Sequence, residues 1–451
     1  MRTSLMVFLA VALAACGKGT QTIGDARLND AGVVVPVDAG GSPDSGQTIT
    51  RVDAGHDAGV PDAGPNMCPD SDRDLATVCD GDCNDNDATV RPGAAEVVNG
   101  KDDDCDGTVD AYIPGVDGDG DGDPFPQDCD DLEPLVSHHS IENPGNGVDD
   151  DCDGMVDEAN NCDAQITGGA SAMDFARAIG LCEGVTNASF NNGVPNSRSI
   201  VSKLGDAWQP KQGASLAMIS SGDAVDNYMS SGYVVQPGNQ FYNEATHPLY
   251  SSPKCGAPSS VPTAKDISEL ALSVKVPANA HSFSFQFAYF SAEYPEYLCT
   301  QYNDRFIVLL QSTAINSGSM PAQQCVNGAS PATCNISYDN GGQPITVNNA
   351  LFTVCDTFNG MNTQGVQVKN TCTQSAGLLS KTGYDRVTQG EKAGGGTGWL
   401  TTTAPVTPGE TINLRFIVFD EGDYKLDSSA LIDNFQWHLT AVNGPSTMPT
   451  P

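Results

Sequence analysis

Asp117-Gly118-Asp119-Gly120-Asp121-Gly122-Asp123 places carboxylates at alternate positions of a pliable backbone. Oxygens spaced this way converge on one cation, and a glycine at the sixth position permits the sharp turn such a loop needs. This is the front half of an EF-hand-type calcium loop. Its twelfth position is Asp128, where an EF-hand usually has a bidentate Glu. Asp102, Asp104 and Asp106 before Gly107 repeat the front half, as do Asp149, Asp151 and Asp153 before Gly154. Their twelfth positions are Ile113 and Asn160, so nearby acids such as Asp110 and Asp157 are expected to complete them. Hard carboxylate oxygens favour calcium over softer metals. The expected role is structural, because an ion among clustered carboxylates cancels repulsion that opposes folding. The bland alternative is a solvated acidic linker, and three spaced repeats argue against it.

The surrounding segment must position these loops with little else to help. Residues 68 to 158 hold 28 of the 57 acids and only Arg73, Arg91 and Lys101 as bases. Large apolar residues are scarce. The segment repeats Asp82-Cys83-Asn84-Asp85 as Asp128-Cys129-Asp130-Asp131, and Asp102–Asp110 as Asp149–Asp157. Such a composition cannot stabilise a core alone, so disulfides and cations are expected to do it. The chain has 15 cysteines. With Cys16 set aside, an even number remains, and no Cys-x-x-Cys pair suggests a thiolate metal site. Connectivity is not readable from sequence. Proximity suggests Cys68–Cys79, Cys83–Cys105, Cys129–Cys152, Cys162–Cys182, Cys255–Cys299, Cys325–Cys334 and Cys355–Cys372.

Cys16 is set aside because of what precedes it. Met1-Arg2-Thr3-Ser4 carries one positive charge, Leu5 to Ala12 is apolar, and Leu13-Ala14-Ala15-Cys16 follows. That order describes a secretory signal too short to span a bilayer. Leu-Ala-Ala-Cys resembles the bacterial lipobox, which implies cleavage before Cys16 and acylation of it. The membrane is then a partner through acyl chains, since two or more anchor stably. Residues 17 to 67 repeat Asp-Ala-Gly among Pro, Ser and Val and read as a disordered tether. About 50 flexible residues reach roughly 40 Å.

Asp85-Asn86-Asp87-Ala88-Thr89-Val90-Arg91-Pro92-Gly93-Ala94, Asn99-Gly100 and the two Asp-Asp-Asp-Cys-Asp-Gly blocks resemble the "putative metal-binding motif" family. These Asp/Cys repeats are common on bacterial surface proteins, particularly of myxobacteria. Family members usually carry a cysteine just before the Asn-Gly. Val98 stands there, which implies that one family disulfide is missing or rerouted. The family has been linked to copper, which would want His, Met or Cys ligands. His138 and His139 are the nearby candidates and read as plain surface, so copper and other transition metals are not expected.

Residues 160 to 440 read as mainly β, a sandwich or jelly roll. Ala170 to Leu181 suits a short helix. Leu270–Val276, His281–Tyr289, Phe306–Leu310 and Thr411–Phe419 alternate apolar and polar residues between Gly, Pro and Asn breaks. From Asn443 a frayed tail is expected. Gly213–Gly222, Phe290-Ser291-Ala292-Glu293-Tyr294-Pro295-Glu296-Tyr297, Asn303-Asp304-Arg305-Phe306 and Phe419–Ser428 resemble the choice-of-anchor L domain over roughly 185 to 440. That resemblance implies an extracellular β domain without an established catalytic activity. Its relatives take varied C-terminal anchors, whereas here the anchor is N-terminal lipid. Glu293, Glu296, Asp304, Asp420, Asp423 and Asp427 flank predicted strands. Loop acids meeting at one end of a sandwich suit calcium, with Glu293, Asp304 and Asp420 the preferred members. Turn chemistry is the alternative. Asp433 and Asn434 read as caps of the last strand.

No Gly-x-Ser-x-Gly elbow, His-Glu-x-x-His or phosphate loop is present, so catalysis is not expected. A net charge of −36 excludes nucleic acid as a natural partner. The expectation is a lipid-anchored, exported surface protein. It displays a β domain that binds an extracellular protein or glycan, with Tyr294, Tyr297 and Tyr302 as candidate contacts. A calcium-sequestering envelope protein is the second reading and a hydrolase of unrecognised type the third.

Overall fold

Phe283, Phe285, Phe287 and Tyr289 recur at every second position and point to one side, as the period of a strand requires. In the computed structural model they line the centre of a β-sandwich. The structure describes residues 68–450, apart from 111, 144, 159–161, 225–243, 246–247, 251–254, 256–259 and 389–390. Cys16, the expected signal and the Asp-Ala-Gly tether therefore lie outside the described residues.

The strands used below are β1 (Val185–Asn192), β2 (Arg198–Val201), β3 (Leu216–Ser220), β4 (Ala264–Lys275), β5 (Ser282–Ser291), β6 (Arg305–Gln311), β7 (Thr333–Asn335), β8 (Leu400–Pro405), β9 (Thr411–Glu421), β10 (Ser428–His438) and β11 (Ser446–Pro449). One sheet runs β1-β4-β9-β6-β7. The other carries β5 between β8 and β10, with β3 and β2 beyond β10 and β11 beyond β8. All these pairings are antiparallel. The sheets face each other through aromatic contacts. Phe285 of β5 meets Phe416 of β9 edge-on at 5.2 Å, and Phe287 meets Phe306 of β6 at 4.9 Å. The opposite face of β5 presents Ala288 and Phe290, which Trp208, Leu379 and Tyr384 cover. The outer face of the first sheet buries Ile267, Ile307, Ile417 and Phe419, with Leu249 packed against them.

The four strands read from alternation are present, each extended by one to six residues at an end. The expected helix is Ala172–Ala178 (α1), shorter than its apolar run. Ser171 and Asp174 close a reciprocal capping box at its start, and Phe175 buries its inner face. The expected frayed tail from Asn443 is a correction. Ser446–Pro449 forms β11 on β8, and the Thr447 hydroxyl shares a hydrogen bond with Thr402. Edge-strand pairing satisfies backbone that a tail would leave in water. Asp433 and Asn434 are also corrected: they form a bulge inside β10 rather than a cap. Buried Asp433 there accepts the Lys211 backbone N–H at 2.5 Å.

The acidic repeats contain almost no regular structure. Turns, carboxylate–backbone hydrogen bonds and disulfides shape them. All seven neighbour pairings suggested by proximity are present, from Cys68–Cys79 to Cys355–Cys372. The second repeat is fastened to the sandwich by Asn279. Its amide donates to the carbonyls of Ile141 (3.0 Å) and Leu135 (3.3 Å) and accepts from the Ile141 N–H (3.1 Å). Repeats and sandwich belong to one compact unit, Cys68–Pro451. Among the described residues no helix is long and apolar enough to cross a membrane.

Candidate metal centres

The loop from Asp117 shows how a run of aspartates becomes a site. Asp117 spends both carboxylate oxygens on the backbone, on the N–H groups of Gly120 (2.7 Å) and Gly122 (3.1 Å), whereas the acids around it spend one. Asp119 Oδ1 accepts from the Asp121 N–H (3.1 Å), Asp121 Oδ1 from Asp123 (2.8 Å) and Asp128 Oδ1 from Asp130 (2.8 Å). Asp131 Oδ1 accepts from Gly118 (2.9 Å). These bonds are local turns that Asp forms readily. The other oxygen of each, Oδ2 of Asp119, Asp121, Asp128 and Asp131, is buried without a hydrogen-bond partner. Ligand oxygens of Asp117, Asp119 and Asp121 lie within 4.8 Å of one another. Burial, followed by the charges of Asp121, Asp119 and Asp131, pushes the Asp128 carboxyl up to about 6. Asp119 is raised for the same reasons.

The same construction occurs 47 residues earlier, where the sequence reading did not place a site. Asp70, Asp72 and Asp74 cluster within 4.8 Å. Oδ2 of Asp72, Asp74 and Asp82 is buried and unpartnered, matching Asp119, Asp121 and Asp128. Asp85 accepts from the Ser71 N–H (3.1 Å), as Asp131 does from Gly118. The missing signal is the sixth position. It is Leu75 here, yet its φ of 82° lies in the same left-handed region as Gly122 (108°), Gly107 (102°) and Gly154 (92°).

The two Asp-Asp-Asp-Cys-Asp-Gly loops recruit a glutamate from outside the motif. Glu96, Asp102 and Asp104 offer oxygens within 4.8 Å, as do Glu142, Asp151 and Glu158. Glu96 bridges the N–H groups of Asp104 (2.9 Å) and Asp110 (3.0 Å), and Glu142 bridges Asp150 (2.8 Å) and Asp157 (2.8 Å). Sequence reasoning missed these glutamates because they lie outside the alternating run. Asp102 and Asp149 accept the glycine N–H that closes each loop (2.9 and 3.0 Å). Asp106 and Asp153 accept the N–H two residues on. Asp110 and Asp157, expected to complete the ion shell, instead cap Asn99–Gly100 and Gly145–Gly147. Asp151 is pushed up to about 6 by burial and by neighbouring Asp153, Glu158 and Glu142. Asp123 also departs from expectation: its Oδ2 meets His139 Nδ1 at 2.5 Å. An EF-hand uses a backbone carbonyl at that position, so the side chain is free to turn away.

Within the sandwich, the three preferred acids come together at one end. Asp304 accepts from the Glu421 N–H (3.2 Å) and the Ser428 hydroxyl (2.8 Å), and its own N–H donates to Glu293 (3.2 Å). Glu293, Asp304 and Asp420 are all buried, as are Asp266, Glu421 and Asp427. Burial raises Glu293, Asp304 and Asp420 well above the carboxylate range. Arg305, fully buried, pairs with Glu421. Glu296 and Asp423 are half-buried at the margin. Tyr294 packs in the core, while Tyr297 and Tyr302 meet edge-on at 5.9 Å.

Two family models match the chain. Residues 228–436 match the choice-of-anchor L domain, and residues 82–111 and 128–158 each match the "putative metal-binding motif". Strands β1 to β3 precede the first match yet complete its sheets. The alternating loops from Asp70 and Asp117 precede the two motif matches. No curated protein matches the chain. The choice-of-anchor domain marks a surface-associated protein, and the motif with its acidic clusters points to a metal.

Proposed function

We propose that this chain is a lipid-anchored surface protein whose acidic repeats bind calcium and hold a β-sandwich that captures an extracellular ligand. The observation that carries the calcium reading is the inward set of Asp119, Asp121, Asp128 and Asp131 oxygens, buried with no donor to meet them. Buried carboxylates without partners are costly, and a hard cation is the partner that oxygen-only surroundings suit. Copper fits poorly. The repeat cysteines are disulfide-bonded, and His139 is engaged by Asp123 outside the four clusters. The ligand reading draws on a cavity of about 930 Å³ where the second repeat meets the sandwich. Trp437, His438, Lys275, His139 and Glu142 line it, an aromatic surface beside hydrogen-bonding groups that suits a glycan. We assign the chain no catalytic role.

The test is thermal. EGTA should lower the melting temperature of the mature protein, and calcium should restore it more fully than magnesium, which demands near-octahedral geometry. A melt insensitive to EGTA would sink the calcium reading. For the ligand, Trp437→Ala should abolish glycan-array binding while the protein remains folded, at a lower melting temperature because Trp437 packs edge-on against Phe283 and Phe435; retained binding would refute the cavity reading.

A further inference from the structure

A second group of buried carboxylates lies inside the sandwich. Asp420 on β9 is fully buried, and neither of its carboxylate oxygens has a hydrogen-bond partner. Ser221 lies beside it, but the Ser221 hydroxyl donates to the Ser428 carbonyl (3.4 Å). Asp304, Asp427 and Asp266 are the acids whose charges Asp420 feels. All three are at least nine-tenths buried.

The backbone is shaped to bring them there. The β4–β9 pairing slips between Val418 and Asp420, and Asp266 opposite adopts a φ of 45°. A bulge of this kind re-aims a side chain that regular pleating would direct elsewhere. Gly222 brings the backbone so close to Asp427 that an added Cβ would stand 1.9 Å from Oδ2. Asp304 is held from both sheets, by the Glu421 N–H of β9 and the Ser428 hydroxyl of β10. The local guanidinium, Arg305, is committed to Glu421. Asp420 is thus enclosed among acids with neither of its oxygens matched to a donor.

We infer that Asp420, Asp304, Asp427 and Asp266 bind a divalent cation, calcium by the hardness of its oxygens, that clamps the two sheets together at this end. Asp266 and Asp420 lie on strands of the first sheet, and Asp304 leads into β6 of that sheet. Asp427 leads into β10 of the second. The ion neutralises the charge of Asp420, whose oxygens no hydrogen bond meets, and fixes the strand ends around Asn303–Arg305 and Asp420–Ser428. This goes beyond the repeat sites and does not depend on them.

Hydrogen–deuterium exchange of the full mature protein, with calcium or with EGTA, reads both sites separately. Peptides covering 264–270, 300–306 and 418–430 should exchange about a hundredfold more slowly at calcium ~100 times its dissociation constant. Unchanged exchange there, with slowing confined to 68–158, overturns the sandwich site and leaves the repeat sites standing. The reverse pattern refutes the repeat sites alone. Calcium stoichiometry by mass spectrometry gives a second arm. Asp420→Asn should lose one bound ion and keep the others, and full retention overturns the proposal. Should that variant not fold, the exchange measurement on the unmodified protein decides.

Discussion

The two oxygens of Asp119, Asp121, Asp128 and Asp131 do different work. One holds the turn and the other faces inward, so the folded, ion-free loop stores like charge at close range. Asp128 makes the consequence measurable. Its folded-state carboxyl sits at about 6, above the ordinary aspartate value of about 3.9. A raised carboxyl contributes stability that is full below the unfolded value and is lost as pH rises through the folded one. Without calcium, stability from Asp128 and Asp151 should therefore drain away between about pH 4 and 6. With calcium the ionised form is the bound form, and the loss is offset. The calcium-induced rise in melting temperature should widen from pH 4 to pH 7. A gap that stays constant across that range would contradict this. Leu75 offers a second residue-scale test. It is 92 % exposed, so its side chain contributes no packing, and its left-handed φ strains an L-residue. Left-handed backbone costs roughly 1–2 kcal/mol, and glycine returns part of that in unfolded-state entropy. Leu75→Gly should stabilise the calcium-bound protein by about 0.5–1 kcal/mol in urea melts.

Elements in this protein are legible in proportion to how local their causes are. Helix α1 is one: Ser171 accepts the Asp174 N–H while Asp174 returns the bond to Ser171. The Asp174 carboxyl is held down to about 2, first by the Thr167 N–H. Ser171→Ala should cost about 1 kcal/mol by chemical denaturation; no loss would mean that packing of Phe175 alone holds the helix. Strands β4, β5, β6 and β9 showed themselves by alternation. Strand β10 did not, although it is central. Its Ala430, Leu431 and Ile432 face apolar neighbours on both sides, and the Asp433–Asn434 bulge then breaks the period. Strand β11 was hidden for a different reason: Ser446–Pro449 has no apolar pattern and forms because β8 offers an open edge.

At the scale of the molecule, the repeats and the sandwich share one compact unit, joined by Asn279 and lined at the junction by Trp437 and His139. Calcium in the second repeat, if bound as proposed, would then stiffen one wall of the cavity at this junction. The proposed anchor makes its own prediction. Cys16→Ser should abolish palmitate labelling and move the protein from membrane to soluble fractions, since acyl chains rather than a spanning helix would hold it. Retained labelling would remove Cys16 from that role.

Carboxylate spacing, cysteine proximity and strand alternation are properties of neighbours along the chain, and the sequence by itself determined them. From it came the loops at Asp102, Asp117 and Asp149, the seven neighbour disulfides and the β character of the large domain. Convergence of groups distant in sequence was left to the tertiary structure. Only folding brought Glu96 to Asp102 and Glu142 to Asp151. Only folding turned Asp123 to His139 and buried Asp420 with Asp266, Asp304 and Asp427. The physical reason is that an isolated aspartate in a turn and an aspartate in an ion shell look alike in sequence. What separates them is which oxygen loses water, and burial by the whole molecule decides that.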